Sequence, residues 1–355
     1  MEFYVISLLN GLSYGLLLFM LSAGLTLIFS MMGVLNFAHA SFYMLGAYAG
    51  FAISQYVGFW PALLIAPVLM GLLGALFERY ALRKVYSGGH VPELLLTFGL
   101  SYLVLEIVQI IWGRSTVAFT PPLELQGPFV TLVSDQAHHI QWIWRWEGTD
   151  LLNSLCKLNA AETVSVSNSA TDTVQCTPFP INRFFIMLTA VLMVILLWII
   201  LTYTRLGLII KAALSYPHMV EALGHDVPSV LMLVFGIGTA LAGLAGVIGG
   251  STFITEPAMA ETVGSVIFVV VVVGGIGSLI GSFLASLLIG IIQTYAVSID
   301  TTLLNVFANL GINLSASLSH SSIFNLSISQ IAPMLPYLLL VLILIFRPSG
   351  LLGAK

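Results

Sequence analysis

The chain has 355 residues, of which 59% are apolar and only 7% charged, against roughly a quarter charged in an average soluble domain. That balance excludes an ordinary soluble enzyme. A formal net charge of −4 and a pI near 5.9 carry no signal for nucleic acid or any other polyanion.

The few charges are clumped. No Asp, Glu, Lys or Arg occurs from Phe3 to Phe77, from Val227 to Thr255, from Thr262 to Ile299, or from Thr301 to Phe346. As helix the first gap would run about 110 Å, enough for three crossings of a hydrocarbon core about 30 Å thick. Continuous apolar runs of about 20 residues predict an all-α, polytopic integral membrane bundle, whereas a transmembrane barrel would alternate over segments of about ten. Punctuation by Pro, Gly, Asn and charge places spans near 5–29, 38–56, 60–78, 93–113, 183–203, 228–250, 262–276, 280–297 and 333–346. The expectation is therefore one transmembrane domain over 1–355 with about eight to nine spans, because 38–56 is open to a re-entrant reading and 262–276 is short.

The first stretch, Phe3 to Phe29, has no basic segment before it and exceeds a signal-peptide core, so it reads as an uncleaved span. After it comes Gly33-Val-Leu-Asn-Phe-Ala-His-Ala-Ser41, a polar group between two apolar runs. Asn36 and His39, three apart, share a face if the segment is helical. They are either a capped turn with a satisfied histidine or pathway and gating residues. In the fourth span Glu106 and Gln109 are also three apart, and an intramembrane carboxylate is a functional candidate unless it sits among the headgroups.

From Arg114 to Arg183 the composition turns polar, which marks an insertion at 114–182 on the outer face. Gln141 to Glu147 alternates with period two, placing Trp142, Trp144 and Trp146 on one side of a strand paired with Phe129 to Ser134. This is a hairpin packed on the membrane surface with an interfacial tryptophan belt, or a docking surface for an extracytoplasmic partner. His138-His139 reads as a solvated pair rather than a metal site. Both cysteines, Cys156 and Cys176, fall in the insertion. Their confinement there predicts a disulfide in an oxidising compartment, the alternative being two thiols.

The loop from Thr204 to Val227 reads as one or two short helices, with Pro217 starting the second and Gly224 ending it. A solvated loop has no use for Leu208, Ile209, Ile210, Met219, Val220 and Leu223, which suit a helix lying on the membrane or docked in a partner's groove. Further on, Gly274-Gly-Ile-Gly-Ser-Leu-Ile-Gly281 lies between apolar spans rather than in a strand-turn-helix unit, so a dinucleotide site fails on context. Its glycines, with the rows Gly46, Gly50, Ser54 and Gly238, Ala242, Gly246, Gly250, read as close helix packing. Thr301 to Gln330 is polar and receives no assignment.

Basic residues favour the cytoplasmic side. With the N-terminus outside and the C-terminus inside, Arg79, Arg83, Lys84, Arg205, Lys211, Arg347 and Lys355 fall inside, seven of the eleven. That orientation puts the 114–182 insertion outside and the 204–227 loop inside. There is no Gly-x-x-x-x-Gly-Lys-Ser/Thr phosphate loop and no Cys/His set with zinc spacing. The chain is therefore expected to be no enzyme, with no cofactor, metal or catalytic residue of its own.

The block Gly33 to Tyr48, with Asn36-Phe-Ala-His39 at its centre, resembles the signature of branched-chain amino acid ABC transporter permeases. Agreement in order and spacing extends to Glu78-Arg79 through Val85, Thr97-Phe-Gly-Leu-Ser101, the Thr204 to Val227 loop, and Gly274 to Gly281 followed by Arg347-Pro-Ser-Gly-Leu-Leu352. The resemblance implies a multi-pass bacterial inner-membrane permease of an ATP-driven importer for branched-chain or related small hydrophobic amino acids. It implies a second related permease, two cytoplasmic ATP-binding subunits and a periplasmic solute-binding protein as partners in the bilayer. Within the loop, Tyr216, Pro217, Met219, Glu221, Ala222, Leu223 and Gly224 resemble the helix that couples to an ATPase. Asn36, His39, Thr97, Ser101 and Glu106 are the candidates along the solute path. Three features depart from the family pattern: Ala40-Ser41 where Gly followed by Glu, Ala or Ser is usual, Leu208 where Arg is usual, and the long insertion. The competing expectation is an ion-coupled secondary transporter, or a channel for a small neutral solute such as urea or an amide. Inverted repeats or paired intramembrane charges would favour it, and the spans offer only Glu106. An intramembrane enzyme would need a nucleophile-base or metal pair within the spans, and none is evident.

Overall fold

The structure is a computed structural model describing residues 2–33, 35–134, 140–145, 164–168, 172–299, 301–302, 305 and 326–353. Each of the nine expected spans is met by a helix: α1 (Glu2–Met32), α2 (His39–Val57), α3 (Phe59–Phe77), α4 (His90–Trp112) and α5 (Ile181–Tyr203), then, after two short helices α6 (Arg205–Ser215) and α7 (Pro217–Ala222), α8 (Val227–Thr252), α9 (Met259–Gly274), α10 (Leu279–Ser298) and α11 (Leu335–Phe346). Among the described residues, seven helical segments are long and apolar enough to cross a membrane. Those seven do not include α2 or α9. The latter has only 16 residues. α2 has 19, but carries His39, Ser41, Tyr43, Tyr48, Ser54, Gln55 and Tyr56. More than half of α2 is buried in protein, and a helix covered by protein at membrane depth needs no lipid-compatible exterior. Gly58, at φ 85°, is the single residue between α2 and α3, a left-handed position that favours glycine.

The chain divides into two compact units. The first comprises Met1–Gly15, Leu123–Met187 and Leu288–Pro336. It contains an antiparallel sheet of β1 (Pro128–Ser134), β2 (Ile140–Trp144), β3 (Val164–Asn168) and β4 (Asp172–Pro180) in the order β2-β1-β4-β3. The expected hairpin is present, with Val130 opposite Trp144 and Leu132 opposite Trp142. Strands β3 and β4 were not foreseen, because their Ser- and Thr-rich sequences lack a run of large apolar residues. Val130, Leu132 and Phe179 pack against Ile6 of α1, with Trp144 and Phe184 at the edge of that core. Phe129 and Phe184 stack at 4.0 Å between ring centroids. Trp142 and Trp144 lie side by side, 6.5 Å between centroids. Trp146, His138, His139 and Cys156, and most of the Thr301 to Gln330 segment, lie outside the described residues. Cys176 is buried in β4 and is not a free thiol.

The second unit comprises Leu16–Pro122, Leu188–Leu287 and Tyr337–Lys355. Its centre is the packing of α8 against α2 and α3, and the small-residue rows are what permit it. A Cβ added to Gly46 would stand 2.6 Å from Gly243 Cα and 2.7 Å from its carbonyl oxygen. Gly71 and Gly236 meet in the same way, each Cβ position 3.0 Å from the other's carbonyl oxygen. Such backbone-to-backbone approach replaces hydrophobic driving force with dispersion contacts in a membrane helix pair. After α11 the chain returns to α9, where Leu351 N–H donates to the Val273 carbonyl at 2.8 Å and Leu352 N–H to that of Gly274 at 3.0 Å. These bonds satisfy carbonyls that end a helix without an intrahelical partner.

Candidate functional site

The site grows from the turn between α1 and α2. Asn36 Oδ1 accepts the Ala38 N–H at 3.1 Å and the Asn36 carbonyl accepts the His39 N–H at 3.2 Å, so Asn36 launches α2. His39 Nε2 lies 3.0 Å from the Leu21 carbonyl oxygen. A carbonyl can only accept, so Nε2 carries the proton and Nδ1 is left as an acceptor. Asn36 is 5% exposed and His39 1%, yet Asn36 Nδ2 and His39 Nδ1 have no hydrogen-bond partner among the described residues. The block is thus a turn closed by Asn36, and it holds two buried polar atoms without a partner among the described residues.

Asn36 and His39 line a cavity of about 710 Å³ within the second unit, inside the usual range for small-molecule sites. Leu25, Leu35, Phe98, Leu105, Ile267 and Phe268 supply apolar wall, and Ser41, Ser101, Gln109, Glu261, Ser265 and Tyr337 supply polar groups. The Ser265 and Tyr337 hydroxyls are 2.6 Å apart, joining α9 to α11. Of the expected path residues, the structure gathers Asn36, His39 and Ser101 here and leaves out two. Thr97 is buried and its hydroxyl donates within α4 to the Leu94 carbonyl at 3.0 Å. Glu106 is exposed and outside the lining, whereas Gln109, one turn on, belongs to it and accepts from Arg114 Nε at 3.0 Å. Glu261 escaped the sequence reading because charge was taken to end the span at 262. Helix α9 begins three residues earlier, and a helix's first turn favours an acid. Ser265 and Tyr337 come from separate helices, a convergence that no local pattern announces.

A second candidate surface is α7. Val220 is 3% exposed and packs with Ala213 of α6 and Val227 of α8. Tyr216, Met219 and Leu223 stay 69%, 67% and 78% exposed, beside exposed Glu221, Ala222 and Gly224. Helix α7 begins at Pro217 and stops at Gly224, whose φ of 87° lets the His225 N–H reach the Val220 carbonyl at 3.2 Å. In α6, Ile210 is buried and Leu208 is exposed. Asp226 then caps α8 through the Ser229 N–H and hydroxyl, and the side-chain hydrogen bond from Ser229 holds its carboxyl below the usual range. Nearby, α3 ends in a π-helical turn, Glu78–Leu82. The fully buried Glu78 accepts from Arg83 at 3.2 Å and from the Tyr86 hydroxyl at 2.8 Å. Arg83 also donates to the Pro228 carbonyl at 2.8 Å, tying this turn to the start of α8. Burial first, and the Glu78 charge second, push the Tyr86 phenol up, so it remains a donor. Among the described residues no group of three His, Cys, Asp or Glu is placed to hold a metal ion.

These helices define a multi-pass membrane protein with a solute-sized chamber, and comparison with known proteins gives the class a family. Residues 7–346 match the model of the branched-chain amino acid transport system permease component, and the chain belongs to that family. It is 24% identical to the high-affinity branched-chain amino acid transport system permease protein LivH of Salmonella typhimurium, over 99% of this chain and 96% of the relative. It is equally similar, at 24% over 99% and 96%, to the corresponding protein BraD of Pseudomonas aeruginosa. A probable branched-chain amino acid transport permease protein LivH of Methanocaldococcus jannaschii is 24% identical over 80% of this chain and 78% of its own. No solved structure matches the chain.

Proposed function

We propose that this chain is the membrane-spanning permease subunit of an ATP-driven importer for branched-chain or related small hydrophobic amino acids. It sits in a bacterial inner membrane with the N-terminus outside and the C-terminus in the cytoplasm. The observation that carries this reading is α7: a short helix fixed to its neighbours through Val220 while Tyr216, Met219 and Leu223 face outward without cover. Three large apolar side chains on one exposed face match the groove-docking mode of helix recognition. The chain has no phosphate loop, so the docked partner is the nucleotide-hydrolysing subunit, present as a pair.

In this reading a solute-binding protein delivers the amino acid at the outer face, where the insertion lies. The solute then passes between this chain and a second related permease along the cavity that Asn36, His39 and Ser101 line. Apolar wall accommodates the branched side chain. Movement of α7 reaches α6 and α8 through Val220 and Ala213, and reaches the end of α3 through the Arg83 bond to Pro228. ATP-driven motion of the partner then shifts the balance between outward- and inward-open forms, which requires differential contacts in the two states.

The test is to tag the C-terminus, purify the chain from native membranes in mild detergent and identify stoichiometric companions by mass spectrometry. Recovery of an ATPase and a second permease, lost on Leu223→Asp or Glu221→Lys at unchanged membrane abundance, is the expected result. A chain that purifies alone and carries solute into liposomes without ATP would refute it and promote a secondary transporter or channel.

A further inference from the structure

Two large apolar side chains of the insertion stay exposed among its described residues, Leu123 at 80% and Trp142 at 45%. Around Trp142 both faces of the sheet are covered. Leu132, opposite Trp142 and so on the same face, is buried against Ile6 of α1. Thr131, Val133 and Ile143 on the other face are buried as well. Trp142 stands on β2, the terminal strand in the sheet order. Leu123 opens a short turn, Leu123–Leu125, anchored by buried Leu125. Arg145, just past the end of β2, donates to the Glu124 and Gln126 carbonyls at 3.0 and 3.3 Å, tying that turn to the strand.

Helix α5 fixes where these residues lie relative to lipid. Its 23 residues run about 35 Å, against about 30 Å of hydrocarbon and about 40–45 Å with the headgroups, so its first and last turns lie in the headgroup layers. The far end carries exposed Trp198 and Tyr203, followed by Arg205, residue types that mark such a layer. The near end is joined to the insertion. There the Ile181 N–H donates to the Gly127 carbonyl at 3.0 Å, two residues past the Leu123 turn. In the first turn Phe184 stacks on Phe129, and the rings continue from Phe129 to Trp144 at 5.7 Å and from Trp144 to Trp142 at 6.5 Å. Three ring-to-ring steps thus connect Trp142 to the point where α5 enters lipid.

We infer that Leu123 and Trp142 form a lipid anchor: the sheet rests on the phospholipid headgroups where α5 begins, and both side chains sit in that layer. An indole there keeps its ring in apolar surroundings and its N–H in a wet one. The surface is continuous with the lipid-facing side of α5 and suits lipid better than a soluble protein. Two such side chains supply no more than roughly 250 Å² each, short of the about 800 Å² that a stable complex takes from each partner. Lipid, in contrast, accepts apolar side chains singly. The inference needs only that α5 crosses the bilayer and is independent of the importer reading.

The experiment places a nitroxide on Leu123→Cys and on Trp142→Cys in the full chain, reconstituted in phosphatidylcholine liposomes. Power-saturation EPR then compares collisions with oxygen, which enters lipid, and with a water-soluble nickel chelate. Wild-type chain treated in parallel gives the background from Cys156 and Cys176, and Glu221→Cys, on the exposed face of α7, gives the water-exposed reference. The expected oxygen-to-nickel ratio at both sites is several-fold above that reference. A ratio equal to the reference at both sites would overturn the inference and leave the patch to a water-soluble protein. If Trp142→Cys fails to reconstitute, Leu123→Cys, on an exposed turn, carries the test, together with the conservative Trp142→Phe. Phospholipid brominated near the headgroup should quench a smaller share of tryptophan emission in Trp142→Phe than in wild type. An unchanged share would overturn the inference.

Discussion

Removing Glu78 tests whether the π-helical end of α3 is held by charge or merely by packing. Its carboxylate is fully buried and accepts two bonds, one from the Arg83 guanidinium at 3.2 Å and one from the Tyr86 hydroxyl at 2.8 Å. Glu78→Ala strands the Tyr86 hydroxyl and the Arg83 guanidinium, whose Nε already has no partner among the described residues. Truncating one partner of a buried pair costs about 3–5 kcal/mol, but the Arg83 side chain is 32% exposed, so water recovers part of the loss. We therefore expect about 2–3 kcal/mol, near the range for losing charge-assisted bonds. Glu78→Gln keeps an acceptor and the shape, and should cost about half as much. The assay is thermal denaturation in detergent, followed by the fraction that stays monodisperse, for Glu78→Gln, Arg83→Met and the double variant. If the pair interacts, the double variant is less damaged than the sum of the singles by about 1 kcal/mol or more. Additivity within about 0.5 kcal/mol would refute the argument. Loss of leucine uptake should accompany the loss of stability, because Arg83 also holds the Pro228 carbonyl at the start of α8.

Gly46→Leu should prevent α2 and α8 from meeting, since even a Cβ would stand 2.6 Å from Gly243 Cα. The penalty is at or above the roughly 1–3 kcal/mol of ordinary overpacking, read as loss of monodisperse protein, and a variant that behaves as wild type would contradict the packing described. Cys156 and Cys176 should form one disulfide, so that maleimide labels neither cysteine in denatured, unreduced protein and both after reduction. For a loop of this length the bond contributes about 3 kcal/mol, and labelling before reduction would exclude it. Asp226 has its carboxyl lowered by the bond from the Ser229 hydroxyl. The folded form therefore releases its proton more readily than the unfolded one. The cap stabilises α8 above the ordinary carboxylate pKa of about 4 and is lost as pH falls through the lower folded value. Asp226→Asn should flatten that part of the acid-unfolding profile and leave neutral pH little changed.

The helices were legible because lipid imposes one rule on every exposed residue, and charge-free runs report it directly. The same rule misplaced the beginning of α9. A charge ends a lipid-facing stretch, but it does not end a helix, and Glu261 sits inside the first turn where backbone N–H groups welcome it. The hairpin was legible from the alternation around Trp142 and Trp144. Strands β3 and β4 were not, because strands held by backbone bonds, β4 to β1 and β3 to β4, need little apolar signal of their own. Ser101 was legible only through the resemblance of the Thr97 to Ser101 stretch, and Asn36 and His39 as polarity between two apolar runs. Glu106 drew attention for the same reason, yet the cavity takes Gln109 on the adjacent face of α4. Periodicity tells which residues share a face and leaves open which face meets the neighbour.

The placement of α2 links these points. Of the polar residues that keep it out of the set of helices fit for lipid, His39, Ser41, Tyr43 and Tyr48 are buried in a helix packed by α3, α4, α8 and α9, while Gln55 and Tyr56 are exposed at its end. Close approach by α8 requires the Gly46 to Gly243 contact. That approach leaves the start of α2, with Asn36 and His39, beside the cavity rather than in bilayer. α8 begins at Val227, which packs on the Val220 anchor of α7, and it begins beside the Arg83 bond to Pro228. A displacement of α7 is therefore applied to the helix whose far surface packs on α2. Cores repack between discrete arrangements more readily than they deform continuously. The chamber lining and the exposed face of Tyr216, Met219 and Leu223 are accordingly two ends of one packed element, and substitutions in the glycine rows of α8 should uncouple them even where neither end is touched.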